Sequence, residues 1–250
     1  MPPTDASTDT GPGAGSGPGP QLGDGADDTL DLRLSDELLA LFREDELASV
    51  PADADTGPGS SDLLDSLAAW GPVATAAGRF QLVPVRMERD LPLITRWMND
   101  PAVAAFWELA GPDSVTAAHL RGQLDGDGRS IPCLGVLDSA AMSYFEIYRA
   151  DLDPLARHYP ARPHDTGIHL LIGGVADRGR GIGSTLLNAV ADHILDHRPR
   201  CTRVIAEPDL RNTPSVSAFL SAGFRYSAEV DLPDKRAALM IRDRALRHLL

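Results

Sequence analysis

Six residues, Arg178-Gly179-Arg180-Gly181-Ile182-Gly183, restrict what this chain can fold into more than any others. They follow closely on an apolar run, Gly167-Ile-His-Leu-Leu-Ile172, and open an amphipathic one, Gly181 to His197. A strand, a glycine loop and a helix therefore succeed one another. Glycines let the main chain approach a ligand closely, and the helix start offers unpaired N–H groups at the positive end of its dipole, which suits a pyrophosphate. A dinucleotide fold would want G-x-G-x-x-G near the start of its sheet, and a P-loop would want Gly-Lys-Ser/Thr. Neither is present. A plain strand-to-helix turn is the alternative reading.

Charge divides the rest of the chain. The net −13 of the 250 residues resides in residues 1–78, which hold fifteen acids and two bases, whereas residues 79–250 hold 21 of each. Eight of residues 11–20 are Gly or Pro and can bury almost nothing. Two short amphipathic stretches, Ser35 to Phe42 and Ser61 to Trp70, carry an N-cap serine and acids in the first turn. Both are shorter than the ~12–15 residues at which an isolated helix becomes marginal. Residues 1–78 are read as a largely disordered acidic extension with two short helices, and residues 79–250 as the folded domain. No basic surplus favours nucleic acid. No apolar run approaches a membrane span, and no signal peptide is visible at the N-terminus, so the cytoplasm is the expected compartment. Cys133 and Cys201 lack metal or disulfide-framework spacing, and no metal is expected.

From Arg79 onward strand and helix patterns alternate. Strands are expected at Phe80–Val85 (with Pro84 marking an edge or bulge), Pro132–Leu137, Met142–Tyr148, Gly167–Ile172, Arg203–Glu207, Phe224–Val230 and Arg236–Ile241. Helices are expected at Asp90–Asn99, Val115–Leu124, Gly181–His197 and Pro214–Ala222, with a short one at Val103–Leu109. The short helix aside, the order β-α-α-β-β-β-α-β-α-β-β describes an α/β fold with a mixed sheet.

Arg-x-x-Gly-x-Gly resembles the coenzyme-A pyrophosphate loop of GNAT acyltransferases. Glu207-Pro-Asp-Leu-Arg-Asn212, Ser215, Phe219 and Gly223-Phe224 resemble the second half of the same fold. Met142–Arg149, Asp165–Gly173, Ala206–Asn212 and Leu232–Met240 are similar to blocks of the siderophore-biosynthetic branch, which includes lysine N-acyltransferases and N-hydroxylysine acetyltransferases. The resemblance implies a V-splayed sheet with acetyl-CoA or another acyl-CoA in the gap. Backbone N–H groups of Arg180, Gly181 and Gly183 would hold the pyrophosphate, with Arg178 and Gly179 of the same loop also binding the cofactor. Leu171, Ile172 and Gly173 would hold the pantetheine and polarise the thioester, with Asn212 and Ser215 also on the cofactor. The acceptor would be an amine or hydroxylamine, and an acyl carrier protein or siderophore synthetase a possible partner.

Strand alternation sets His169 and Leu171 opposite Ile168, Leu170 and Ile172. An imidazole titrating near neutrality can take a proton from an attacking amine. A lone strand histidine more plainly reads as core; the GNAT resemblance at this residue is what implies His169 as the candidate base. Asp209 would lie across the gap, binding the cationic amine or orienting His169, unless it merely caps a helix. Glu146, Tyr148 and Trp107 are candidate substrate contacts, although Trp97, Phe106 and Trp107 also suit a core. Phe219 stands where many GNAT enzymes carry a proton-donating tyrosine. Rival readings are a GNAT of another branch, such as an aminoglycoside 6'-N-acetyltransferase, and a non-catalytic acyl-CoA-binding scaffold.

Overall fold

Eight strands form one mixed sheet in the computed structural model, which describes residue 64 and residues 67–249. They are β1 (Val73–Thr75), β2 (Gly78–Pro84), β3 (Ser130–Leu137), β4 (Ala140–Arg149), β5 (Thr166–Ile172), β6 (Arg203–Ala206), β7 (Arg225–Asp231) and β8 (Arg236–Asp243), in the order β1-β2-β3-β4-β5-β6-β8-β7. Helices α1 (Met87–Met98), α2 (Pro101–Trp107) and α3 (Asp113–Leu124) connect β2 to β3. Helix α4 (Ile182–His197) connects β5 to β6, and α5 (Thr213–Ser221) connects β6 to β7. Asp138 and Ser139, both at positive φ, make the tight turn of the β3–β4 hairpin. Pro84 ends β2, beyond the reach of β1, so its missing N–H costs no ladder bond on that side.

All neighbours are antiparallel except β5 and β6, which pair only at Thr166↔Val204 and Gly167↔Ile205. Beyond Gly167, β5 stays bonded to β4 while β6 ends at Ala206, so a gap opens between the two parallel strands. Strand alternation sorts the core to the two faces. Phe145, Ile147 and Ile168 pack with Leu186, Val190 and Ile194 of α4. Leu134, Tyr144 and Leu171 pack with Ile94 and Met98 of α1 and Leu120 of α3. His169 shares the face of Leu171, as the alternation predicts.

The packed unit reaches N-terminally past Arg79. Leu64, Leu67 and Trp70 are buried in the α4-side core, a single 3₁₀ turn spans Leu67–Ala69, and β1 is a sheet strand that the sequence pattern does not reveal. Trp70 stacks on His197 (centroids 4.9 Å apart) and faces His193 at 6.0 Å. The boundary drawn after residue 78 therefore cuts through packed structure. The stretch at Ser35 lies outside the described residues. Among those described, no helix is long and apolar enough to cross a membrane.

Candidate active site

The sheet gap places one imidazole between two carboxylates. His169 on β5 has Nδ1 2.9 Å from Oε2 of Glu146, its neighbour on β4, and Nε2 2.5 Å from Oε1 of Glu207, just past the end of β6. A neutral imidazole carries one N–H and can donate to only one carboxylate, so this geometry fits the doubly protonated ring. Burial disfavours the cation, but Glu207 and Glu146 outweigh it and raise the His169 pKa to about 10. Burial likewise opposes both carboxylates. His169 and Lys235 nevertheless hold Glu207 down, to about 2, and hydrogen bonds from His119 and His169 hold Glu146 well below its ordinary range. Glu207 and Glu146 thus favour the imidazolium and hold His169 above the near-neutral range expected from the sequence.

Both carboxylates are fixed by further donors. Glu146 Oε1 accepts from Gln123 Nε2 (2.7 Å) and the Tyr144 hydroxyl (2.9 Å), and lies 2.6 Å from His119 Nε2 on α3. Ser130 donates to Gln123 Oε1 and so sets which way that amide faces. The Tyr148 hydroxyl donates to Glu207 Oε2 at 2.6 Å. Its ring fills the space over Gly167, where an added β-carbon would sit 2.1 Å from it, and lies 4.8 Å from the His169 ring. Trp107, at the C-terminal end of α2, meets His169 edge-on at 6.0 Å and Tyr144 at 5.5 Å. Lys235, on the β7–β8 turn, places Nζ 3.6 Å from Glu207 Oε1.

Of the residues singled out from the sequence, His169, Glu146, Tyr148 and Trp107 come together. Asp209 does not join His169: its carboxylate takes the backbone N–H and the guanidinium of Arg211. It lines a small cleft of about 60 Å³ with Trp107, Arg211, Asp234 and Lys235. Nor does Asp209 cap α5. Asn212 does that, accepting from the Ser215 N–H at 3.2 Å. Trp97 is core, lying under Gly173, and Phe219 is buried edge-on against Phe224. Glu207, Tyr144, His119, Gln123 and Lys235 were not assigned from sequence. Glu207 had the clearest signal, a carboxylate at the first position beyond the strand across the gap.

The glycine loop is built for close approach. Gly179 (φ 70°) and Gly181 (φ 77°) are left-handed, and a β-carbon at either would meet nothing within 4 Å. Gly181 occupies the N-cap of α4 without a capping side chain, so the first-turn N–H groups have no partner from it. Arg178 turns its side chain the other way. It donates to the carbonyls of Ile172 (2.9 Å) and Gly173 (2.9 Å) and to Asp100 (2.8 Å), the N-cap of α2. Gly173 N–H is already spent on Met142 O at 2.8 Å. Bond direction alternates along an antiparallel strand, so of residues 171–173 the N–H of Ile172 is the one that faces away from β4, toward the gap. A larger hollow of about 530 Å³ lies elsewhere, between β1 and α4, and is lined by Thr75, Asn188, Asp192 and His193. Among the described residues no group of three or more His, Cys, Asp or Glu is placed to hold a metal ion.

Residues 86–232 match the family model described as "Acetyltransferase (GNAT) domain". The chain is 36% identical over 168 residues to a lysine N-acyltransferase of Mycobacterium sp. (strain MCS), spanning 67% of this chain and 68% of that one. It is 37% identical over 155 residues to the N(6)-hydroxylysine O-acetyltransferase of Escherichia coli, spanning 62% and 49% respectively. Among solved structures, an uncharacterised protein of Bacillus halodurans is similar at a TM-score of 0.67 and 31% identity, over 72% of this chain and 92% of that one. The aminoglycoside acetyltransferase AAC(6')-Ib in complex with coenzyme A gives a TM-score of 0.61 at 22% identity, over 68% and 98%, a likeness of fold alone.

Proposed function

The chain belongs to the GNAT acetyltransferase family, and from that premise we propose that it acylates the side-chain amine or N-hydroxyamine of lysine or a lysine-like substrate, in cytoplasmic siderophore biosynthesis. The acyl group would come from acyl-CoA or an acyl carrier protein. The observation that carries this reading is the His169 clamp at the sheet gap: two buried carboxylates flanking an imidazole that can handle an amine's proton.

The glycine loop fits the donor. Left-handed Gly179 and Gly181, open space where side chains would stand, and an N-cap without a capping side chain suit a pyrophosphate held by main-chain N–H groups from Arg178 to Gly183. Acyl-CoA, when bound, supplies an activated thioester. Ile172 N–H, facing the gap, supports the carbonyl oxygen on which charge develops, and Leu171 and Gly173 shape the strand end around it. Asn212 and Ser215 act on the donor through the start of α5. Trp107, Asp209 and Lys235 wall the acceptor cleft, and Glu146 and Tyr148 hold the acceptor end of the clamp. His169 becomes a base after shedding one proton, keeping Nδ1–H on Glu146 and receiving the amine's proton at Nε2. Phe219, buried and without a donor, leaves departure of the thiolate to water or substrate.

Product mass spectrometry with lysine, N6-hydroxylysine, ornithine and cadaverine against several acyl-CoAs tests this directly. Acylated lysine-like product with matching thiol release is expected. Preferential acylation of an aminoglycoside, or CoA binding without turnover of any lysine-like amine, would refute it.

A further inference from the structure

Lys235 is the only lysine in the chain, and it stands beside the carboxylate oxygen that His169 also uses. Its ammonium is 3.6 Å from Glu207 Oε1, while His169 Nε2 is 2.5 Å from the same atom and the Tyr148 hydroxyl occupies Oε2. Two cations thus share one oxygen. On the other side of the ring, Glu146 is engaged by His169 Nδ1, His119, Gln123 and Tyr144. The groups facing the imidazole are Glu146, Tyr144 and Tyr148 from β4, Glu207 beyond β6, His119 from α3, Trp107 from α2 and Lys235 from the β7–β8 turn. Asp153, after β4, feels the charge of both His169 and Lys235, but its carboxylate is turned to the Leu155 N–H.

The two carboxylates bonded to the ring, Glu146 and Glu207, therefore already face two cations, His169 and Lys235, before any acceptor arrives; Asp153 and Asp209 add negative charge around them without bonding the ring. We propose that Lys235 is a positioning residue that loosens the hold of His169 on its Nε2 proton, and that a cationic acceptor entering the adjoining cleft expels that proton. The inference rests on the lysine-like acceptor proposed above. An incoming ammonium is a third cation on two carboxylates. Breaking the His169 Nε2–H bond, with the proton passing to solvent buffer, restores the balance. Lys235 then takes over Glu207 Oε1, Nδ1–H stays on Glu146, and Nε2 is left free to accept the amine's proton. An uncharged hydroxylamine disturbs nothing and expels no proton. The clamp thereby distinguishes a charged amine from its neutral N-hydroxy counterpart.

NMR titration of the His169 imidazole in the ligand-free full chain tests the first half without any acceptor. Lys235→Met should raise its midpoint by about one pH unit, a tenfold tighter proton, because a nearby cation has been removed. Lys235→Arg should leave the midpoint where it is. In steady-state assays the rising limb of log kcat/KM should move alkaline by the same amount in Lys235→Met, whatever the change in plateau height from loss of a cleft wall. Calorimetry of lysine binding in two buffers of different ionisation enthalpy should report about one proton released per cationic acceptor bound, and none for a neutral one. An unmoved His169 midpoint in Lys235→Met overturns the proposal, as does a kcat/KM loss equal at every pH. Failure of every lysine-like amine to be acylated would refute the functional reading instead, while the ligand-free titration would still decide the role of Lys235.

Discussion

Replacing Trp70 with alanine tests where this fold begins. The indole is 4% exposed, lies in the α4-side core with Leu64 and Leu67, and stacks on the imidazoles of His197 and His193. Truncating a buried tryptophan costs about 3–5 kcal/mol when the gap stays open. His197 is exposed at the rim of this contact, so water can enter part of the gap, and the lower figure, about 3 kcal/mol, is the better estimate here. With a urea slope of roughly 2 kcal/mol/M, this moves the unfolding midpoint down by about 1.5 M. Deleting residues 1–55, which leaves Leu64, Leu67 and Trp70 in place, should not move it. Acyl transfer per folded molecule should survive Trp70→Ala, because the ring rests on the C-terminal half of α4 and not on its glycine loop. A Trp70→Ala midpoint within about 0.25 M of wild type, or ~0.5 kcal/mol at that slope, would mean that the segment before Arg79 is an appendage after all.

His169→Ala should lower kcat/KM on the order of 10²–10⁴ and remove the base's ionisation from the pH profile, with CoA affinity preserved; near-native turnover would make His169 structural. Gly181→Val forces a β-branched residue to φ 77°, at roughly 1–3 kcal/mol of strain, and puts its side chain into the open space at the start of α4. CoA affinity by calorimetry should fall at least about tenfold, and an unchanged value would remove this loop from the donor site. The clamp should also shape stability against pH. His169, raised from 6.5, contributes fully below pH 6.5 and loses that contribution as pH rises toward 10, whereas Glu207, lowered from 4.5, contributes above pH 4.5 and loses it as pH falls toward 2. Chemical denaturation across pH should place the clamp's full contribution between 4.5 and 6.5, and its removal by Glu207→Gln should flatten the alkaline limb.

Periodicity made most of the elements legible, because each buries one face over a sustained run. Thus β5 was readable from Ile168, Leu170 and Ile172, and β3 and β4 from the apolar runs Pro132–Leu137 and Met142–Tyr148. β1 was not, since three residues, Val73–Thr75, are too few to show alternation. The apolar face of Leu64, Leu67 and Trp70 was visible, but its docking depends on α4, more than a hundred residues away. The face of His169 followed from strand alternation, and its candidacy as a base from the family resemblance. Its true partners did not, because Glu207 and Asp209 both follow β6 and only the path of the chain through Pro208 decides which one turns to the gap. His119 left no local trace, since it meets Glu146 across 27 residues of sequence.

Arg178 gives the two halves of the site a common fate. One guanidinium holds the end of β5, at the foot of the donor loop, and the cap of α2, the helix whose last turn presses Trp107 against His169. With the donor and acceptor sides as proposed, any displacement of α2 that reshapes the acceptor wall is transmitted to the end of β5. Substitutions in α2 chosen to admit a new amine should therefore carry a donor-side penalty, and the productive variants should be those that keep Asp100 and change only the side chains beyond it.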